Sequence, residues 1–241
     1  LLLFLPPWLR AEETNTGGSA DAPPQTEQSV PDGSSDAAHT VRLWNGSAVE
    51  TMTAAEYLPG VVRGEMPAAF EEEALKAQAV AERTYLYYRM ASAPKENHPD
   101  ADVCTDSNCC TAWLSEADAR TKWGDKFDRY EARVQQAVAD TDGQVVLYED
   151  APIMAVFHSS SAGATAASGD VWTASLPYLV SVKSPEDADS VPNYYSVNTF
   201  TAGEFRTIFC KAHPEAKLSG DTAGWIGDVT LTDAGRVASA K

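Results

Sequence analysis

Basic residues are scarce in this chain: 18 Lys and Arg stand against 35 Asp and Glu, a formal charge of −17 at neutral pH. Nucleic acid and anionic membrane surfaces repel such a protein on approach, which excludes both as primary partners. Any anionic substrate has to be met by Lys or Arg placed locally. Long apolar runs are also missing. The opening "LLLFLPPWLR" holds five apolar residues before Pro6, far short of the roughly 20 that cross a bilayer. Residues 1–10 read as the end of a signal sequence or membrane anchor, which implies an extracytoplasmic protein held at the cell membrane. Cysteine is sparse and uneven, with Cys104, Cys109 and Cys110 crowded together and Cys210 far away. A disulfide scaffold spaces its cysteines to close long loops, so that class is set aside. Between Ala11 and His39 there is no Lys or Arg and almost no large apolar residue. Such a stretch cannot bury enough surface to offset its ordering entropy and reads as a flexible acidic linker, residues 11–39.

What remains, residues 40–241, is long enough for one sizeable domain, and the 44% hydrophobic content of the chain can build its core. "TVRLWNG" reads as a strand ending in an Asn-Gly turn, and Thr53 as the N-cap of a short helix, "AAEYL". The helix from Pro67 to Ala91 has the strongest pattern: Phe70, Ala74, Ala77, Ala81 and Tyr85 recur at three- and four-residue spacing, widened by Leu75, Ala79 and Leu86. Met66 precedes a proline and is pushed out of the helical region, so Pro67 is expected to start this helix. Glu71, Glu72, Glu73 and Glu82 fall where an ordinary helix carries charge. A second helical region centres on Phe127 to Val138, closed by Gly143. "QVVLYED" and "APIMAVFH" follow as a hairpin, "PYLVSV" as a strand, and "TFTAGEFRTIFCKAHP" as a helix capped by Thr201. The last stretch reads as strand, turn at Asp233 to Gly235, and strand. The fold class is α+β, helices mixed with antiparallel strands.

Three places carry chemistry. "NHPDADVCTDSNCC" places five residues between His98 and Cys104 and five between Cys104 and Cys110. An imidazole with two thiolates suits Zn²⁺, and Cys109 is an adjacent spare thiol; free or disulfide-paired cysteines are the alternative. Glu65 stands between Gly64 and Met66-Pro67, ahead of the expected helix. It is either an anion matched to a helix N-terminus or a catalytic carboxyl, for which Met66 and Val61-Val62 supply apolar neighbours. "FHSSSAGAT" puts His158 beside three serines, but there is no Gly-x-Ser-x-Gly elbow, and the segment reads as a hydrogen-bonding loop able to meet sugar hydroxyls. His213 and Cys210 have no partner pattern and are taken as structural.

Four ordered blocks, "EYLPGVVRGEMPAAFEEEALKAQAVAERTY", "VCTDSNCC", "GQVVLYEDAPIMAVFHSSSAGAT" and "DVWTASLPYLVSVKSPED", resemble the stage II sporulation protein D family of peptidoglycan lytic transglycosylases. The resemblance runs from about Thr40 to Lys241 and implies a single catalytic domain with a glycan-binding groove. It implies that Glu65, in the Glu-Met-Pro motif, is the catalytic acid/base, and that Arg83, Ser159, Ser160, Ser161, Thr165 and Tyr178 line the groove. His98, Cys104 and Cys110 resemble the zinc ligands of clostridial members, with the metal mainly structural. The implied reaction cuts the bond between N-acetylmuramic acid and N-acetylglucosamine, preferably in strands stripped of stem peptides, leaving 1,6-anhydro ends during forespore engulfment. Implied partners are the amidase stage II sporulation protein P and the membrane protein stage II sporulation protein M. Two other readings stay open: a non-catalytic wall-binding amidase enhancer, and a zinc-dependent glycan hydrolase. The sequence departs from the family pattern at Ala162, where a second glycine usually follows the serines, and at Val180, where a basic residue is frequent. A closing Gly-rich turn and strand are missing, so the domain is expected to stop short of its C-terminal strand.

Overall fold

The computed structural model describes residues 35–161, 163–186, 189, 191, 194–232 and 235–241. The expected anchor remnant, residues 11–34 of the expected linker, Ala162 and most of the Asp233–Gly235 turn lie outside the described residues. The chain is an α+β protein in two compact units, one ending at Phe157 and one starting at His158.

In the first unit, β1 (Thr40–Trp44) and β2 (Val49–Thr53) form the expected hairpin. Asn45 Oδ1 accepts the Ser47 and Ala48 amides at 2.9 Å, and Gly46, at φ 96°, supplies the left-handed residue the turn needs. β3 (Val103–Cys104) adds to β1 in parallel, with Leu43 opposite Val103 and Trp44 opposite Cys104. Thr53 then caps α1 (Ala54–Glu65) in a full capping box with Glu56, worth about 1 kcal/mol. α1 is longer than the pattern suggested and runs through Pro59 to Glu65. An interior proline costs ~3 kcal/mol, but the run Tyr57 to Arg63 is buried without a break, and packing on all sides outweighs that cost.

α2 (Glu72–Met90) begins five residues later than expected. Met66 is extended, at φ −124° and ψ 136°, as a residue before proline should be, but it ends α1; it does not open α2. The intervening turn is held by α4 (Phe127–Asp140), from which Arg133 donates to the Ala68 and Phe70 carbonyls. α3 (Glu116–Trp123), capped by Ser115, leads into α4. Val41, Leu43, Leu58, Val61, Val62, Leu75, Leu86, Val103 and Val134 are each fully buried and form the core between sheet and helices.

The fold also begins earlier than Thr40. Ser35 caps a short 3-10 turn, Asp36–Ala38, and Asp36 is buried. The linker boundary at His39 is therefore corrected: an acidic side chain that composition assigns to solvent is drawn inward by an arginine.

The hairpin after α4 pairs only two residues per strand, β4 (Leu147–Tyr148) with β5 (Ala151–Pro152). In the second unit β6 (Gly163–Ala164) pairs with β7 (Lys183–Ser184), α5 (Ser168–Val171) is a single turn, and β8 (Thr230–Leu231) pairs with β9 (Val237–Ser239). α6 (Ala202–Ala212) carries the expected Thr201 cap, again a complete capping box, with Glu204.

Candidate functional site

The stretch from His98 to Leu114 organises the site. His98, Cys104, Cys109 and Cys110 are all buried, and their ligand atoms lie within 4.8 Å of one another. β3 fixes Cys104 on the sheet beside Trp44, while a turn at Asp106, whose carbonyl accepts the Cys109 and Cys110 amides, brings those thiols back. His98 Nδ1 donates to the Ala101 carbonyl at 3.1 Å, which turns the Nε2 lone pair toward Cys110 Sγ, 3.4 Å away. Cys110 is held down to about 4, first by the hydrogen bond from Cys104, with Lys95 and His98 adding to it; Cys104 is pushed up by the same bond. The cluster can hold a metal ion. The three expected ligands lie together, and Cys109, the adjacent spare thiol, joins them as a fourth donor.

Immediately after the cluster, residues 111–114 lie along α1. Leu114 N–H bonds to the Gly60 carbonyl at 3.0 Å, Arg63 Nη1 donates to the Leu114 carbonyl at 2.9 Å, and the Trp113 indole donates to the Tyr57 carbonyl at 3.3 Å. The approach requires glycine: a Cβ at Gly60 would run into the Trp113 ring, and one at Gly64 into the Ala112 carbonyl. At the end of this seam the Ala112 amide donates to Glu65 Oε1. Glu65 is half-buried and is the last residue of α1, at the negative end of that helix's dipole. The anion-capping alternative, which needs a helix N-terminus, loses its basis. Arg63, buried, pairs with Glu131 of α4 at 3.1 Å and pins the same end of α1.

Glu82 is the residue that pattern reasoning missed. It is 1% exposed, accepts from Gln78 Nε2 at 2.9 Å, and is pushed up to about 8 by burial, with the Glu65 charge adding to the shift. A signal was present: Glu82 falls in register with Leu75, Ala79 and Leu86 on the apolar stripe of α2.

Arg83 is corrected. Its side chain is wholly buried, and its Nε and Nη2 bond Asp36 bidentately at 2.7 and 2.8 Å. The remaining donors reach the Val138 and Gln144 carbonyls and Thr141 Oγ1 at 3.2–3.3 Å. Arg83 thus ties the C-terminus of α4 to the Asp36 turn.

The model of the SpoIID family, stage II sporulation protein, matches residues 45–148, a span that includes Glu65, Glu82, Arg83 and all four donors. Stage II sporulation protein D of Bacillus subtilis (strain 168) is 38% identical over 183 residues, 76% of this chain and 51% of its own. This chain carries a SpoIID-family domain. The corresponding protein of Bacillus amyloliquefaciens is 37% identical over 159 residues, 66% of this chain and 46% of its own. An amidase enhancer of B. subtilis is 35% identical over 130 residues, 54% of this chain and 15% of its own. The chain spans about half the length of the two stage II sporulation proteins it matches.

The SpoIID match ends before the second unit, which holds the remaining expected contacts. There Ser160 Oγ and the Ser161 amide both donate to Glu186, whose carboxyl is held low by the Ser160 bond first. Ser159 is exposed. Thr165 Oγ1 is spent on the β6–β7 ribbon, accepting from Val182 N–H at 2.9 Å and donating to the Val180 carbonyl at 3.3 Å. Tyr178 is half-buried and Val180 exposed. Among the described residues no helix is long and apolar enough to cross a membrane.

Proposed function

We propose that this SpoIID-family protein is a lytic transglycosylase acting on peptidoglycan glycan strands, with Glu65 as its acid/base. The observation that carries the reading is a half-buried carboxyl at a helix C-terminus, gripped on one oxygen by the Ala112 amide and built into a seam that needs two glycines. A glycosidase that uses water works with two carboxyl groups, one of them serving water or the sugar; here one group acts twice. Glu65 gives its proton to the oxygen between N-acetylmuramic acid and N-acetylglucosamine as that bond breaks. The carboxylate then takes the proton from the muramic C6 hydroxyl, whose oxygen closes on C1. The product is a 1,6-anhydro end, and no water is consumed. Ser159 to Ser161, Thr165 and Tyr178 are proposed to meet the sugars, outside the cell membrane, in forespore engulfment beside stage II sporulation protein P and the membrane protein stage II sporulation protein M.

Mass spectrometry of glycan stripped of stem peptides tests this: anhydro-muramic ends are expected. Reducing ends would show water as the nucleophile and replace the reading with a hydrolase. Binding without cleavage would favour an amidase enhancer, a role in keeping with the name of one relative.

One His and three Cys fit Zn²⁺, and four protein ligands leave no position for a water, so the ion is assigned a structural role. It would fix the start of the 111–114 segment that grips Glu65. Stripping the ion from the purified protein with a chelator is expected to lower the melting temperature and the cleavage rate together, and zinc to restore both. Loss of cleavage at an unchanged melting temperature would reverse the assignment.

A further inference from the structure

The segment that carries His98 brings two more polar side chains to the thiol cluster. Lys95 and His98 share one turn, closed by the His98 amide on the Lys95 carbonyl at 3.0 Å. From that turn the half-buried Lys95 ammonium donates to Cys110 Sγ at 3.6 Å, to the Cys109 carbonyl, and to the Tyr85 hydroxyl at 3.5 Å. Asn97 Nδ2 donates to Cys109 Sγ at 3.9 Å. Two of the three clustered thiols therefore receive a donor from the Lys95–Asn97 stretch, and one of those donors is a cation.

Three thiolates outweigh the two positive charges of Zn²⁺ by one, so a centre completed by a neutral imidazole is an anion, and all four of its donors are buried. A buried anion is costly unless a cation lies against it. The chain as a whole makes matters worse, with 35 acidic residues against 18 basic ones. Arg89, one turn beyond Tyr85 on α2, is turned to the Ala93 carbonyl at 3.0 Å. The Lys95 ammonium sits on the cluster itself. Against a sulfur it stabilises the thiolate form and draws charge from it, and through the Cys109 carbonyl it holds the backbone between two of the donors.

We propose that Lys95 is the counter-ion of the metal centre, setting its affinity for zinc through the Cys110 sulfur and the Cys109 carbonyl, with Asn97 as a weaker, uncharged partner on Cys109. The proposal rests on the cluster being a zinc site. Lys95 is a positioning residue and not a fifth ligand. Its ammonium has three donors and no lone pair while it is charged.

The test uses the whole chain as wild type, Lys95→Met and Asn97→Ala, each stripped of metal and reloaded. Zinc affinity is read by competition with a chromophoric chelator, and the sulfurs are read in the Co²⁺-loaded proteins from the thiolate-to-metal charge-transfer band. Methionine keeps much of the lysine stem and removes the charge. Lys95→Met is expected to bind one zinc about 10- to 100-fold more weakly than wild type, the usual cost of losing an outer-shell partner. Its Co²⁺ band is expected at longer wavelength, because a sulfur without the ammonium gives up its electron more easily. Asn97→Ala is expected to lose less affinity than Lys95→Met. An affinity for Lys95→Met within about threefold of wild type would overturn the proposal. So would a weakened affinity with an unmoved band, which marks a packing role, or an equal loss in Asn97→Ala, which marks a missing donor and not a missing charge. Should Lys95→Met fail to fold, as its melting curve would show, Lys95→Gln is judged by the same two readings. Wild type separates the two possible failures. If it takes up no zinc, the metal reading falls and the proposal with it; if it loads one zinc and Lys95→Met matches it, only the role of Lys95 falls.

Discussion

Glu65→Gln is expected to lose about 10³- to 10⁴-fold in the rate of anhydro-end formation while melting at the wild-type temperature. General acid or base catalysis contributes typically ~10² to 10⁴ to a rate, and here one group is asked to perform both proton transfers in turn. A carboxamide can do neither. Its oxygen can still accept the Ala112 amide, so the seam along α1 survives, and the change falls at a half-buried position where ~0.5 kcal/mol is the usual scale. Stopped-time assays on glycan and a thermal melt give both numbers. A variant within tenfold of the wild-type rate would show that the proton comes from elsewhere.

Arg83→Leu is expected to cost about 3–5 kcal/mol of unfolding free energy, the range seen when one member of a buried ion pair is removed. Leucine fills much of the volume but leaves the Asp36 carboxylate buried without its bidentate partner, and strips the donors from Val138, Thr141 and Gln144. Against a total stability of roughly 5–15 kcal/mol, the variant is close to unfolding at physiological temperature. Asp36→Ala should fall in the same range, and the double variant should cost much less than the sum of the two, because each single change already breaks the pair. Urea titrations of the four proteins close the cycle. Wild-type stability for Arg83→Leu, with weakened glycan binding, would return Arg83 to the groove.

The capped starts of α1 and α6 were legible because a Ser/Thr-x-x-Glu box is a local code, and both Thr53 and Thr201 use it. The end of α1 was not. Pro67 and Met66 mark a boundary, but the same dihedral restriction ends one helix as readily as it begins another. Pro59 hid the continuation, since only tertiary burial makes an interior proline tolerable. The spacing of His98, Cys104 and Cys110 was readable, whereas the fourth donor depended on the turn at Asp106, which spacing does not encode. Glu82 and Arg83 show the limit most clearly. Adjacent charged residues in a helix look solvated until the neighbours are known: one is buried and bonded by Gln78, the other is buried and paired with Asp36. The short ladders of the second unit have the same origin, since β-branched runs record a local preference while pairing depends on what lies alongside.

The buried Asp36 gives the molecule a mechanical grip. Tension on the chain ahead of Ser35 enters the fold at Asp36, where it meets Arg83 and Tyr87 of α2 and the Asp142 carboxylate just after α4. The load is shared between two helices at once, so β1 is shielded from being peeled away strand first. Pulled from that end, the first unit holds until the Asp36–Arg83 pair breaks.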